Sequence, residues 1–261
     1  MQDRVSGTAA ARHLVVTWQH PIERTISPVG MLNFDGHSYR FHYLRNTLQV
    51  KGFRPFLGFP DLYGHYTADT LFPLFAQRAM NPRRPDFTRW VKRLGLGQDA
   101  SPFEQITRSG GHRPGDTIQL FPVPTVTSGH LECDFLVHGV RHIVERPTSV
   151  AGAVITLTRD DVERHLAALA PGDELRLHES TNTANPLAIL TTGNNIPLGW
   201  VPTLLLEEIH RILDHQGARA TALAVNGPEA GWHLRLLAHL SIPVPDGFAV
   251  FVNDRWQSNA R

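Results

Sequence analysis

The stretch from Asp173 to Pro202 reads DELRLHESTNTANPLAILTTGNNIPLGWVP, and it decides how the second half of the chain is interpreted. Apolar segments alternate with polar and Gly/Asn-rich breaks, which predicts a strand, a polar loop, a strand, a tight turn and a third strand. The polar loop is ESTNTAN at 179–185, and a helix is expected from Thr203. This order is typical of a small β-rich module.

Length and composition favour two domains of the α+β class. The chain has 261 residues, of which 41% are hydrophobic and 19% are charged, so two compact cores are expected. The Pro/Thr/Gly-rich run PVPTVTSGH at 122–130 is interpreted as the linker between them. The predicted domains are therefore 1–124, a small sheet with helices, and 130–261, a second domain with strands and two helices.

Charge and cysteine content restrict the classes of function. The formal net charge is +1, so binding to an anion would depend on a local basic patch. Cys133 is the single cysteine, which excludes an internal disulfide framework and a cysteine-based zinc site. The first residues lack an apolar signal core, and no apolar run reaches the roughly 20 residues that span a bilayer. We expect a cytoplasmic protein with no membrane partner.

Local patterns predict several further elements. Helices are expected from Thr67, from Phe87 and, with Glu104 at capping-box spacing, from Ser101. A fourth capped helix is expected from Thr158. The run LECDFLVHGVRHI at 131–143 predicts one long strand.

The stretch at 173–202 resembles the core of the HIRAN domain, a β-rich module associated with DNA. The matching residues are Glu179, Asn182, Ala188-Ile189 and Gly199-Trp200. The resemblance implies that 130–261 forms a HIRAN-like β-barrel or strongly bent sheet with two helices. It also implies a DNA-binding module in which an aromatic residue stacks on a base and loop side chains bind the terminal nucleotide.

Carried onto this sequence, the resemblance implies a nucleic-acid-binding set of Arg141, His142, Asn182, Asn185 and Trp200. Arg141-His142 matches an Arg-aromatic pair on the first strand, and Trp200 stands where His or Tyr is usual. Two positions depart from the family pattern: Ala184 replaces the stacking Tyr, and Asn185 replaces an Asp. The alternative is a structural loop whose Asn side chains bind backbone groups, as Asn does in turns.

The first half is similar to the N-terminal subdomain of HipA-type toxin kinases. The similarity covers about 13–122 and rests on Pro28-Val29-Gly30, Phe41–Leu44, LFPLFAQRAMNPRRPDF at 71–87 and Phe103–Asp116. In that family this piece packs against a kinase core, whereas this chain has no catalytic-loop or Asp-Phe-Gly motif. The similarity implies a partner: a separately encoded HipA-like Ser/Thr kinase or another protein subunit.

A basic cluster lies within the same region. Its members are Arg78, Arg83, Arg84, Arg89, Lys92 and Arg93. Such a cluster could bind phosphates or an acidic protein, and the alternative is a solvated helical face.

No arrangement of residues typical of an enzyme is present. The 15 histidines include no His-Glu-x-x-His pattern, and no serine nucleophile elbow occurs, so neither a metal nor another cofactor is expected. The leading hypothesis is a non-catalytic regulatory subunit of the antitoxin type that binds a HipA-like kinase and carries a HIRAN nucleic-acid-binding module. The alternative is a factor that binds single-stranded or 3′-end DNA in repair or phage defence.

Overall fold

The computed structural model of the protein describes residues 13–113, 115–179, 185–212 and 218–261. These residues form two compact units with interleaved segments. Unit 1 takes in the described residues up to Asn81, then Asp99–Val123 and Phe251–Arg261, and unit 2 takes in Pro82–Gln98 and Pro124–Val250. The boundaries expected from the sequence, 1–124 and 130–261, differ from this division at 82–98 and at 251–261.

The elements are numbered in chain order. The strands are β1 (His13–Gln19), β2 (Ile26–Phe34), β3 (Tyr39–Tyr43), β4 (Tyr66–Ala68), β5 (Ile118–Pro122), β6 (Thr125–Thr127), β7 (His130–Leu136), β8 (Thr148–Val150), β9 (Ala153–Ile155), β10 (Glu174–Glu179), β11 (Ile189–Gly193), β12 (Ile196–Trp200), β13 (Arg219–Val225) and β14 (Leu236–Pro243). The α-helices are α1 (Pro73–Ala76), α2 (Phe87–Arg93), α3 (Pro102–Ser109), α4 (Arg159–Ala167) and α5 (Thr203–Arg211). Short 3₁₀ helices cover Arg45–Leu48, Val140–His142, Trp232–Leu234 and Asp254–Trp256.

Unit 1 is an antiparallel sheet with the strand order β4-β3-β2-β1-β5 and a core rich in aromatic rings. Phe41 is fully buried and lies 4.5 Å from Phe59 and 5.6 Å from Phe75, measured between ring centroids. The Tyr43 hydroxyl donates a hydrogen bond to the Phe59 carbonyl (2.9 Å) and accepts one from the Phe56 N–H (2.6 Å). This buried hydroxyl therefore anchors the Gly/Pro-rich loop that follows β3.

The helices of unit 1 confirm one sequence expectation and correct another. At α3 the Ser101 hydroxyl accepts from the Glu104 N–H (3.2 Å), while the Glu104 carboxylate accepts from the Ser101 N–H (2.7 Å), which is the expected capping box. The helix expected from Thr67 is wrong in its start, because Thr67 lies in β4 and α1 begins at Pro73. A proline fits the first helical turn, but its ring blocks extension of the helix towards the N-terminus.

Unit 2 is built around an antiparallel sheet with the strand order β12-β11-β10-β13-β14-β7-β6, beside the separate hairpin β8-β9. The β11-β12 turn has Asn194 and Asn195 at φ values of 50° and 63°, as a two-residue hairpin of type I′ requires. With α5 starting at Thr203, the strand and helix order expected for Asp173–Pro202 is confirmed for the described residues.

The sheet of unit 2 is strongly bent. His138, just after β7, forms an isolated antiparallel bridge with Trp200 at the end of β12, through N–O distances of 2.9 and 2.8 Å. This bridge brings β12, at one edge of the sheet, next to the end of β7, which is the sixth strand in the order. A closed barrel is not formed, because a single bridge takes the place of a continuous ladder between β12 and β7.

The α+β class is confirmed in both units. In the described parts of the chain, none of the helices is both long enough and apolar enough to cross a lipid bilayer.

Candidate nucleic-acid interface

Trp200 lies at the edge of the bent sheet, where β12 ends. Its side chain is half-buried and packs against Gly139: a Cβ atom on Gly139 would lie 2.7 Å from Trp200 Cε3. Gly139 has a φ of 70°, which favours glycine, so the chain can pass closely over the indole here. The indole Nε1 is buried and has no hydrogen-bond partner among the described residues. The ring is therefore held by packing and backbone pairing.

Arg141 and His142 lie beside Trp200. The sequence had placed them on a strand, but they are not part of one. The left-handed Gly139 ends the extended chain after the bridge at His138, and both residues belong to the 3₁₀ helix Val140–His142. Their side chains are exposed, and His142 Cδ2 lies 3.8 Å from the position of a Cβ on Gly139. The expected strand over 131–143 is therefore too long: β7 ends at Leu136, and from Gly139 onward the chain is no longer extended.

The imidazole of His142 favours its neutral form. Burial lowers the pKa of His142, and the positive charges of Arg141 and Arg146 lower it further. At neutral pH this side chain therefore offers a ring and a hydrogen-bonding nitrogen, while Arg141 supplies the positive charge.

Asn185 supports the alternative in which the Asn side chains of this loop bind backbone groups. Its Oδ1 accepts a hydrogen bond from the Leu187 N–H (3.1 Å), the geometry in which Asn side chains stabilise turns. The Leu187 carbonyl in turn lies 2.9 Å from His210 Nε2, so α5 holds this end of the loop. Asn182 and Ala184 lie outside the described residues, and Glu179 pairs with Ile189 at the base of the loop.

Arg78 does not belong to a basic surface, which corrects the cluster expected from the sequence. It lies in unit 1 with 2% of its side chain exposed, and its Nη2 is 2.5 Å from Asp116 Oδ2. It also donates to the carbonyl oxygens of Gly111 (2.9 Å) and Leu74 (3.1 Å). Its guanidinium is therefore bound to groups within unit 1 and is buried away from any external ligand.

The other five basic residues belong to unit 2, on α2 or just before it. Arg84 forms a bidentate pair with Asp86 at 2.9 and 3.1 Å, and Arg93 Nη2 lies 3.3 Å from Glu229 Oε1. Arg83, Arg89 and Lys92 are exposed. The cluster is thus smaller than the sequence suggests, because Arg78 is buried in unit 1 and the charges of Arg84 and Arg93 are each paired with a carboxylate.

One polar cluster of unit 2 was missed by the sequence reasoning. His239 Nδ1 lies 2.6 Å from Asp134 Oδ1, His239 Nε2 lies 2.7 Å from Glu132 Oε2, and the Ser241 hydroxyl donates to Glu132 Oε1 (2.9 Å). The hydrogen bond to Asp134 raises the pKa of His239, and both carboxylates act in the same direction. In the sequence, Glu132 and Asp134 are two positions apart, as are His239 and Ser241, so each pair lies on one face of a strand. This spacing predicts a cluster only when β7 and β14 are known to pair.

This cluster is an ion-pair network on paired strands rather than a metal centre. Among the described residues, no group of three or more His, Cys, Asp or Glu side chains is arranged to hold a metal ion. Cys133 is buried on β7, and burial raises the pKa of its thiol well above the usual value, which is typical of an unreactive cysteine.

No protein-family model and no curated protein matches the chain. Among solved structures, it is similar to a protein from Lactobacillus plantarum determined by a structural genomics consortium. The two are 19% identical over 44% of this chain and 99% of the other, with a TM-score of 0.29. A likeness at this level supports no conclusion about fold or function.

Proposed function

We propose that the protein is a non-catalytic binding protein whose second unit binds single-stranded nucleic acid. The binding site is the Trp200 surface, defined as Trp200, Gly139, Arg141 and His142. The observation that carries this proposal is the position of Trp200: its indole is half-buried against Gly139, beside the exposed Arg141 and His142.

The residue types of the Trp200 surface suit a single strand. An aromatic ring that stacks on a base contributes about 1–3 kcal/mol, and every base offers a face for stacking. The guanidinium of Arg141 suits a phosphate, and a contact of this kind weakens as salt concentration rises. The neutral imidazole of His142 adds a hydrogen bond or a second ring.

The loop at 185–187 favours a site with little preference for strand ends. Asn185 stands in place of a carboxylate, and an amide oxygen accepts a hydrogen bond from a sugar hydroxyl more weakly than a charged acceptor does. Its Oδ1 already accepts from the Leu187 N–H. Binding should therefore depend on base stacking and phosphate contacts more than on a free 3′ hydroxyl.

Trp200→Ala is expected to weaken binding of a labelled oligothymidine by about tenfold, the loss of one stacked base. Trp200→Phe should keep most of the affinity, because a smaller aromatic ring still stacks. Fluorescence anisotropy at two salt concentrations measures both variants, with free and blocked 3′ ends compared on the native protein. Val126→Ala is a matched control, since Val126 is an exposed apolar residue of unit 2 on β6.

Equal affinity of the native protein and Trp200→Ala, at unchanged melting temperatures, would contradict the proposed site. A requirement for a free 3′ end would contradict the proposed lack of end preference while keeping the site. Failure of the native protein to bind at micromolar concentration would exclude the function itself.

A second candidate function is regulation of a separately encoded HipA-like Ser/Thr kinase, in the manner of an antitoxin subunit. Unit 1 supports it, because Leu57 is 94% exposed between the buried Phe56 and Phe59. An apolar side chain held outward by two buried neighbours is a suitable anchor for a protein partner.

Leu57→Asp is expected to abolish co-purification with a co-expressed HipA-like kinase, because a charge replaces the apolar anchor. Val126→Asp, which places the same charge on unit 2, should leave the association intact. If the native protein does not associate with the kinase, this second function is wrong; if Leu57→Asp still associates, Leu57 is not the anchor.

A further inference from the structure

A second tryptophan of unit 2 lies in a cationic setting. Trp232 opens the 3₁₀ helix that precedes β14, and its side chain is half-buried. The guanidinium carbons of Arg235 and Arg159 each lie 5.3 Å from its ring centroid, within the range of a cation–π contact.

The two arginines differ in how firmly they are held. Arg235 is buried and donates to both carboxylate oxygens of Glu163, at 2.7 and 2.6 Å, and to the Asn226 carbonyl at 2.8 Å. Arg159 is the first residue of α4 and is exposed. Arg235 is thus a fixed support for the ring, whereas Arg159 can leave the ring for a phosphate or stack beside a base.

Trp232 is linked to the Trp200 surface through neighbouring elements of the same unit. The 3₁₀ helix Trp232–Leu234 lies next to the 3₁₀ helix Val140–His142, with Cα atoms within 8 Å. Val140–His142 in turn lies next to β12, which ends at Trp200. The helix that carries Arg141 and His142 is therefore a neighbour of both tryptophans.

The carboxylates of α4 close to Arg159 are largely neutralised. Asp161 accepts hydrogen bonds from Thr158 in the capping box and pairs with Arg164 at 3.0 Å. Glu163 is held by Arg235. Asp160 and Glu145 are exposed and oppose anion binding, while Arg141, Arg146 and Arg159 are exposed and favour it. The balance of exposed charge suits a polyanion.

We infer that Trp232 and Arg159 form a second stacking site for single-stranded nucleic acid, so that a strand extends from Trp200 across Arg141 and His142 to Trp232. This inference rests on the proposed function, and it specifies in addition that the ligand is a strand long enough to reach both tryptophans. A strand long enough to reach both tryptophans gains a second stacked base and one phosphate contact.

Strand length tests the inference. The native protein should bind an oligothymidine of about twelve nucleotides at least tenfold more tightly than one of about four, because each further stacked base adds affinity. Trp232→Ala and Arg159→Gln should each lower affinity for the long strand, about tenfold for Trp232→Ala, and leave the short strand unchanged. Arg219→Gln, which removes an exposed arginine from β13 of the same unit, is the matched control and should bind both strands normally.

The outcomes separate this inference from the proposed function. If Trp200→Ala loses both strands while Trp232→Ala and Arg159→Gln bind like the native protein, the second site is wrong and the first stands. Equal loss of both strands in Trp232→Ala, at an unchanged melting temperature, also excludes a separate second site. Failure of the native protein to bind either strand excludes both proposals.

Discussion

Gly199→Ala is expected to lower the free energy of unfolding by about 3 kcal/mol or more, the range of severe steric changes in a protein interior. An added Cβ would lie 2.5 Å from the His138 carbonyl oxygen and 2.5 Å from Val137 Cγ1. Gly199 also has a φ of 146°, which L side chains rarely adopt. The clash is with backbone, so the bridge between His138 and Trp200 must open to relieve it.

Urea unfolding of Gly199→Ala and Gly172→Ala measures this effect against a control. Gly172 also has a positive φ, 96°, but no heavy atom lies within 4 Å of its Cβ position, so only backbone strain of about 1 kcal/mol is expected. Since Gly199 precedes Trp200, the variant should also lose affinity for a single strand. Similar unfolding free energies for the two variants would show that the bridge is not tightly packed.

Arg78→Met is the second large expected effect, a loss of about 3 kcal/mol or more of unfolding free energy in unit 1. The methionine fills much of the space but leaves Asp116 without its cation and the Gly111 and Leu74 carbonyls without their donor. A buried acceptor that loses its donor has no replacement for the hydrogen bonds that water gave it in the unfolded chain, so the folded state is destabilised. Asp116 is 22% exposed, so water can relieve part of its loss.

Arg84→Met is the matched control for Arg78→Met. Its pair with Asp86 has the same chemistry, but the side chain of Arg84 is 61% exposed, so water and salt screen the pair and its loss should change stability little. Thermal unfolding followed by circular dichroism compares the two. Comparable melting temperatures in the two variants would contradict a structural role for the buried pair.

The sequence predicted those features that depend on neighbouring residues. The capping boxes at Ser101 and Thr158 are present, since a cap requires only the right side chains three positions apart. The hairpin and helix order around Asp173–Pro202 is likewise local. The position of Arg141 and His142 could not be predicted in the same way, because the left-handed Gly139 turns the chain out of its extended course just before them.

Features that depend on distant residues were beyond sequence reasoning. Arg78 looks like its basic neighbours along the chain, and only its contact with Asp116, 38 positions away, makes it a core residue. Trp232 approaches the 3₁₀ helix Val140–His142 only because β7 and β14 pair. The polar row of Glu132, Asp134 and His239 depends on the same pairing.

The interleaving of the two units sets an order for folding during synthesis. The Asn259 N–H donates to the Tyr43 carbonyl (2.9 Å), Ser258 bridges Leu44, and Trp256 is buried in unit 1. These residues leave the ribosome after all of unit 2. Unit 2 can therefore complete its sheet while β3 still lacks its final partners, and unit 1, although it begins first, is completed last.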